Sequence, residues 1–154
     1  MKAVLVGFAF ACAVGASVPS AQAQSNPVVL ITEEEGVLPA PPGTDLKFRA
    51  GVSRGPAIVV VSPKPDKSGV RSPFRLQMKF EGRSGAQVDP DSVKLTYNKK
   101  TAVDLTPRVK PYVMAAGIDL PETQVPPGEH SIRVDVKDKD GRSSSMIFVI
   151  TVVK

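Results

Sequence analysis

From Ala57 onward, apolar and polar residues alternate with a period of two. In Phe74-Arg75-Leu76-Gln77-Met78-Lys79-Phe80 the apolar side chains point one way and the polar ones the other. That is the pattern of a strand with one face buried. Val93-Lys94-Leu95-Thr96-Tyr97 and Ile132-Arg133-Val134-Asp135-Val136-Lys137 repeat it. Two runs are apolar without alternation: Val59-Val60-Val61, and Met146 to Val153, interrupted only by Thr151. Continuous runs mark strands covered on both faces, or edges that need covering.

Turn chemistry separates the runs. Gly82-Arg83-Ser84-Gly85 and Asp89-Pro90-Asp91-Ser92 bracket one loop, and Asn98-Lys99-Lys100 makes another turn. Pro126-Pro127-Gly128 opens the Ile132 strand, and Asp138-Lys139-Asp140-Gly141 closes it with an expected hairpin. The pattern is weakest over 103–120. Val103-Asp104-Leu105-Thr106 reads as a short strand, and Pro107 and Pro111 restrict the next stretch to edge or irregular structure. Periodicity leaves Tyr112 to Ala116 open between a strand and one helical turn. About seven short strands over 57–154, with turns every 8–12 residues or so, predict an all-β fold. The expected form is an antiparallel β-sandwich of immunoglobulin size. An SH3-like or OB barrel is the alternative; such barrels are shorter and more tightly curved by glycine.

Residues 1–23 have a different pattern. Lys2 precedes an uncharged apolar stretch from Ala3 to Val18, Pro19 breaks it, and Ala21-Gln22-Ala23 offers the small-x-small site of a signal peptidase. Cleavage is expected after Ala23. A membrane anchor needs about 20 apolar residues and would not end in Pro-Ser-Ala-Gln-Ala. No second stretch is long enough to span a bilayer as a helix. Lipidation at Cys12 is disfavoured, because Ala9 stands where a lipobox places leucine. Residues 24–56 read as an extended, loosely held segment. In it Val28 to Ile31 is a candidate strand, Glu33-Glu34-Glu35 is solvated charge, and Pro39-Ala40-Pro41-Pro42-Gly43 is irregular.

Composition narrows the chemistry. The chain has 154 residues with 15 Pro, one Cys, one His and no Trp. So much proline argues against a helical bundle. Cleavage removes Cys12, which excludes thiol catalysis, disulfides and zinc-thiolate sites from the mature chain. It also removes Lys2, lowering the formal net charge by one from +5. A cysteine-free exported domain points to the bacterial periplasm or to secretion.

Pro126-Pro127-Gly128-Glu129-His130-Ser131-Ile132-Arg133-Val134-Asp135-Val136, then Asp138-x-Asp140-Gly141-Arg142-Ser143 and Phe148-x-Ile150-x-Val152, resembles the last hairpin of bacterial Ig-like and fibronectin type III-like domains. Ser62-Pro63 and Asp91-Ser92-Val93 resemble the same family. The resemblance spans roughly 57–154 and implies a sandwich fold. It is nearly silent on function, since these domains serve as spacers, adhesion modules and accessory domains. Such domains often place Tyr where His130 stands and a core Trp early in the domain. Here Tyr97 or the Phe residues must fill that volume.

Few residues suggest chemistry. His130 reads as a general base or metal ligand, or as a corner residue hydrogen-bonding back to the preceding loop; the second is favoured. Asp138, Asp140 and Gly141 resemble the start of a calcium loop, but position twelve is Val149 rather than Glu. Asp89 and Asp91 could meet Asp119 or Glu122 across loops; turn formation is the default. Met78, Met114, Met146 and His130 are the only soft or imidazole ligands in the mature chain, too scattered for a copper site. No nucleophile elbow, phosphate loop, dinucleotide fingerprint or zincin motif occurs. The cations Arg75, Lys79, Lys94, Arg133 and Lys137 fall on both outer faces, unlike a nucleic-acid-binding stripe. Glycan binding lacks exposed aromatic platforms, with only Tyr97 and Tyr112 outside the Phe residues.

The sequence therefore predicts an exported, non-catalytic Ig-like binding or scaffolding module of the cell envelope, with no metal or cofactor. Its expected partner is a protein, or a second copy, meeting it through the terminal strands Val59 to Val61 and Ile147 to Val153. For the apolar surface itself, the favoured reading is that Val28 to Ile31 lies over or beside those strands within the chain. The competing functional readings are an accessory subunit of an envelope enzyme or transporter, and a small periplasmic hydrolase.

Overall fold

Alternating strands that bury one face each need a second apolar face to pack against. The computed structural model describes residues 26–41, 49–50, 54–64 and 69–154; the expected signal peptide 1–23 and its cleavage point after Ala23 lie outside them. Two sheets stack as a sandwich. The five-stranded sheet runs β1 (Val28–Val29), β9 (Gly117–Gln124), β5 (Phe74–Glu81), β3 (Ala57–Ser62), with β8 (Val113–Met114) also paired to β9. The six-stranded sheet runs β2 (Arg49–Ala50), β11 (Ser143–Val153), β10 (Gly128–Asp138), β6 (Val88–Tyr97), β7 (Val103–Asp104), with β4 (Val70–Arg71) also paired to β11. All-β is thus correct. The sheets are mixed rather than purely antiparallel, because β1 joins β9 and β4 joins β11 in parallel.

The core lies between the sheets. Leu76, Met78 and Phe80 of β5 face Leu95 and Tyr97 of β6, Ile132, Val134 and Val136 of β10, and Phe148 and Ile150 of β11 across it, all buried. Each such aliphatic side chain contributes roughly 1.5–3 kcal/mol by leaving water. Tyr97 and Phe148 are the largest fully buried side chains. The hairpin joining β10 to β11 forms as expected, with Gly141 at φ +82 in its turn.

Three expectations need correction. Residues 28–41 are not loosely held: Leu30 and Ile31 are 0% and 1% exposed, among the most buried in the molecule. Glu33-Glu34-Glu35 is not simply solvated charge but opens a helical turn, α1 (Glu33–Gly36), closed by a capping box between Thr32 and Glu35. Val28–Val29 does not cover the terminal strands either. It lies on β9, at the edge of its sheet opposite β3. The free edge of β11 is met instead by β2 at Met146–Ile147 and by β4 at Val152–Val153.

Proline misled the reading elsewhere. Asp89-Pro90-Asp91-Ser92 is no loop but part of β6, where residues 90–93 bulge opposite the single residue Val136 of β10. The Ser92 hydroxyl holds the bulge, accepting from the Lys137 amide at 2.9 Å and donating to the Asp89 carbonyl at 2.6 Å. Pro107 sits in the first turn of α2 (Thr106–Val109), where its missing N–H costs no bond. Residues 110–112 make a 3-10 turn and Val113–Met114 a strand, so both readings of that stretch hold in part. β9 itself contains Pro121, placed at the register shift opposite β5. Among the described residues, no helix is long and apolar enough to cross a membrane.

Candidate functional site

The titratable groups converge at one corner, where α1 docks between β6, β10 and α2. His130 is 1% exposed. Its Nε2–H donates to the Pro126 carbonyl at 2.8 Å, returning four residues upstream as the corner reading expects. That fixes Nδ1 as an acceptor, and the Tyr97 hydroxyl donates to it at 2.8 Å. Burial lowers the His130 pKa below its ordinary value, keeping the ring neutral. Burial, with a smaller contribution from the Glu35 carboxylate, pushes the Tyr97 hydroxyl up to about 12. Both ring nitrogens are therefore engaged within the fold.

Arg108 locks the same corner. Its guanidinium forks onto Glu35 through Nη1–Oε2 and Nη2–Oε1, both at 2.7 Å, and Nη1 also donates to the Leu30 carbonyl at 2.7 Å. The hydrogen bond from Arg108 is the main reason that the Glu35 pKa falls from 4.5 to about 2. Leu95 of β6 orients α2, its amide donating to Thr106 Oγ1 at 3.1 Å. Lys99 Nζ donates to the Gly36 carbonyl at 3.1 Å and stands 5.2 Å from the centre of the Tyr97 ring. Glu35, Lys99 and Arg108 were not singled out by the sequence reading. The Thr32-x-x-Glu35 spacing of a capping box was the available signal for Glu35; nothing local pointed to Arg108, 73 residues away.

The other acidic candidates are not brought together. Asp119 lies on β9 and holds Arg75 of β5 in a two-point ion pair at 2.6 and 2.8 Å, which lowers its pKa. Asp89 and Asp91 lie in the opposite sheet, where Asp89 Oδ1 accepts from the Asp91 amide at 3.1 Å and Asp91 stands 3.8 Å from Lys110 Nζ. Glu122 is on β9. Asp138 accepts from the amide and Nε of Arg142 at 2.8 and 2.9 Å, and Asp140 pairs with Arg142 Nη2 at 2.6 Å. Arg142 thus hydrogen-bonds both aspartates of this turn. Among the described residues no three His, Cys, Asp or Glu side chains are grouped to hold a metal. Met78 and Met146 are buried while Met114 is 55% exposed.

Val59 and Met114 are exposed apolar side chains on the five-stranded sheet, while Val37 at the end of α1 and Val153 of β11 are exposed outside it. Register places Val59, Lys79, Gly117 and Met114 in one row across β3, β5, β9 and β8. Val59 is 43% exposed. Met114, Lys79 and Gly117 line an open groove of about 310 Å³ with Gln77 and Asp119. Gly117 is required there: its φ is +150, and a Cβ would collide with the Met78 carbonyl oxygen. The cations divide as expected, Arg75 and Lys79 on one sheet and Lys94, Arg133 and Lys137 on the other, all exposed.

β3 forms the end of this sheet. Ala57–Ser62 carries no charged residue and, among the described residues, pairs on one side only, with β5. The other strands at sheet ends, β1, β2, β4, β7 and β8, are two residues long. β6 and β11 are met on their outer edges only in part, by β7 at Thr96–Tyr97 and by β2 and β4 at Met146–Ile147 and Val152–Val153, whereas β3 has no outer partner along its whole length among the described residues. Compared with known proteins, the chain matches no family model, no curated protein and no solved structure.

Proposed function

We propose that the chain is an exported, non-catalytic Ig-like module of the bacterial envelope, periplasmic or secreted, that binds a protein partner through a strand edge. The observation that carries this reading is β3: six uncharged residues with one main-chain edge unpaired among the described residues. The Ig-like assignment draws support from strand order. Lettered along the chain from β3, the order β3-β5-β9-β8 is A-B-E-D, and β6-β10-β11 is C-F-G. His130, at the start of the sixth letter and bonded to Pro126, stands where such folds place a corner tyrosine. The non-catalytic reading draws support from how the titratable groups are used, since His130, Glu35, Asp119 and Asp138 are each held by partners within the fold.

Affinity capture from envelope extract tests the reading, with wild-type chain and a Val59→Lys variant as baits at low and high salt. Retention of a partner at high salt by wild type, and its loss with Val59→Lys, is the expected result. Equal retention by both baits would remove β3 from the reading. Turnover of a substrate, abolished by one Asp or Glu substitution, would replace the module with an enzyme.

A further inference from the structure

We infer that the partner of β3 is β3 of a second copy, paired antiparallel about a two-fold axis at Val59. The inference rests on the strand-edge reading above and adds the identity of the partner. Main-chain groups along a strand point alternately to its two sides. The Phe80 amide of β5 donates to the Ala116 carbonyl, on the β9 side, at 2.9 Å. Lys79 and Glu81 therefore face β3, and their register partners Val59 and Ala57 face back. Ile58 and Val60 are left presenting N–H and C=O to the open edge.

That edge is self-complementary in one register. Placing Val59 opposite Val59 of a second copy sets Ile58 against Val60 twice, giving two complete hydrogen-bonded pairs. Shifting the axis to Ile58 brings Val60 against Pro56, which has no N–H. Shifting it to Val60 requires Ser62 to face outward. The register shift between Val60 and Ser62 instead turns Ser62 toward Gln77 of β5. Side chains agree with the surviving register: exposed Val59 meets its own copy beside the axis, and Ala57 meets Val61 on the same face. No charge lies on 55–63, so two copies of a cationic chain meet at a neutral strip. The register brings Arg54 of each copy toward Lys64 of the other, just beyond the paired residues. Salt therefore strengthens this association, opposite to its effect on non-specific attraction between unlike charges.

Six residues bury less than a standard interface, so the dimer forms only at high concentration, with dissociation on the order of 100 μM. The test combines sedimentation of the full chain from about 10 μM to about 1 mM with oxidative cross-linking of single cysteines in a Cys12→Ser background. Val59→Cys is expected to cross-link at least tenfold faster than Lys79→Cys, which stands one strand further from the axis. Val59→Lys is expected to raise the dissociation constant at least tenfold, and added salt to lower it in wild type. A wild-type chain that stays monomeric to 1 mM, or equal cross-linking at both sites, overturns self-pairing. In that case the capture experiment separates the two levels. Loss of a captured protein with Val59→Lys keeps the edge and replaces the second copy; retention ends both.

Discussion

The two ends of the five-stranded sheet solve the same problem in opposite ways. At the β9 end, residues 28–41 fold back over the edge and are held by Leu30, Ile31 and the Glu35–Arg108 fork. At the β3 end no described residue of the chain pairs with the outer edge. The closed end is rich in polar groups, and His130, Tyr97, Arg108 and Glu35 each have an assigned partner. The open end, β3, carries no charged side chain, and among the described residues nothing pairs with its outer main-chain edge. Burying polar groups is favoured where they are matched; at the closed end only Thr123 Oγ1, opposite Val28, is buried without a partner among the described residues. Leaving a short main-chain edge hydrated costs the monomer nothing. Among the described residues, the sheet is finished by the chain on one side and unpaired on the other.

Breaking the closed end should produce the largest effects. Leu30→Ala removes a fully buried side chain and should cost about 2–5 kcal/mol in urea unfolding. A loss under about 1 kcal/mol would mean that the docked segment contributes little. His130→Phe keeps the volume but leaves the Tyr97 hydroxyl and the Pro126 carbonyl without their partner; about 1–3 kcal/mol is expected. The variant should also lose a pH response. Because burial lowers the folded His130 pKa, wild-type stability is full above the ordinary value of 6.5 and declines as pH falls below it.

Arg108→Ala should cost about 1–2 kcal/mol near neutral pH. Its clearer signature lies in acid. Glu35 has a folded pKa of about 2 against an ordinary 4.5, so the pair stabilises fully above 4.5 and is lost as pH falls toward 2. Unfolding curves across that window should flatten in the variant; unchanged slopes would assign the acid response to other carboxylates. At the open end, Val59→Lys should leave monomer stability within about 0.5 kcal/mol. A large destabilisation there would show that β3 is completed within the chain after all.

The strands that alternate strictly, β5 and β10 above all, could be read from residue order because one buried face imposes a period of two. β9 could not. Gly117, Asp119, Pro121 and Glu122 interrupt its apolar positions, and it is a strand because β5 and β1 hold it on both sides. The same holds for α2, whose helical turn depends on Leu95 binding Thr106. His130 was legible as a corner residue because its partner is the nearby Pro126. Arg108 was not, because its value depends on two groups more than 70 residues earlier. The apolar run at Val59 announced an edge, but which face of its main chain stays open required the register of three strands.

The parallel seat of β1 also sets an order of events. Val28–Val29 pairs with Thr123 and Gln124, and the Leu30 carbonyl takes its bond from Arg108, 78 residues on. A chain that emerges N-terminus first must carry its earliest described strand unpaired until most of the molecule has emerged behind it. Closing so long a loop adds little entropy cost over a shorter one, so the delay is one of sequence rather than of free energy. The earliest described strand thus waits until β9 has emerged, and any species caught before then carries β1 as a loose end.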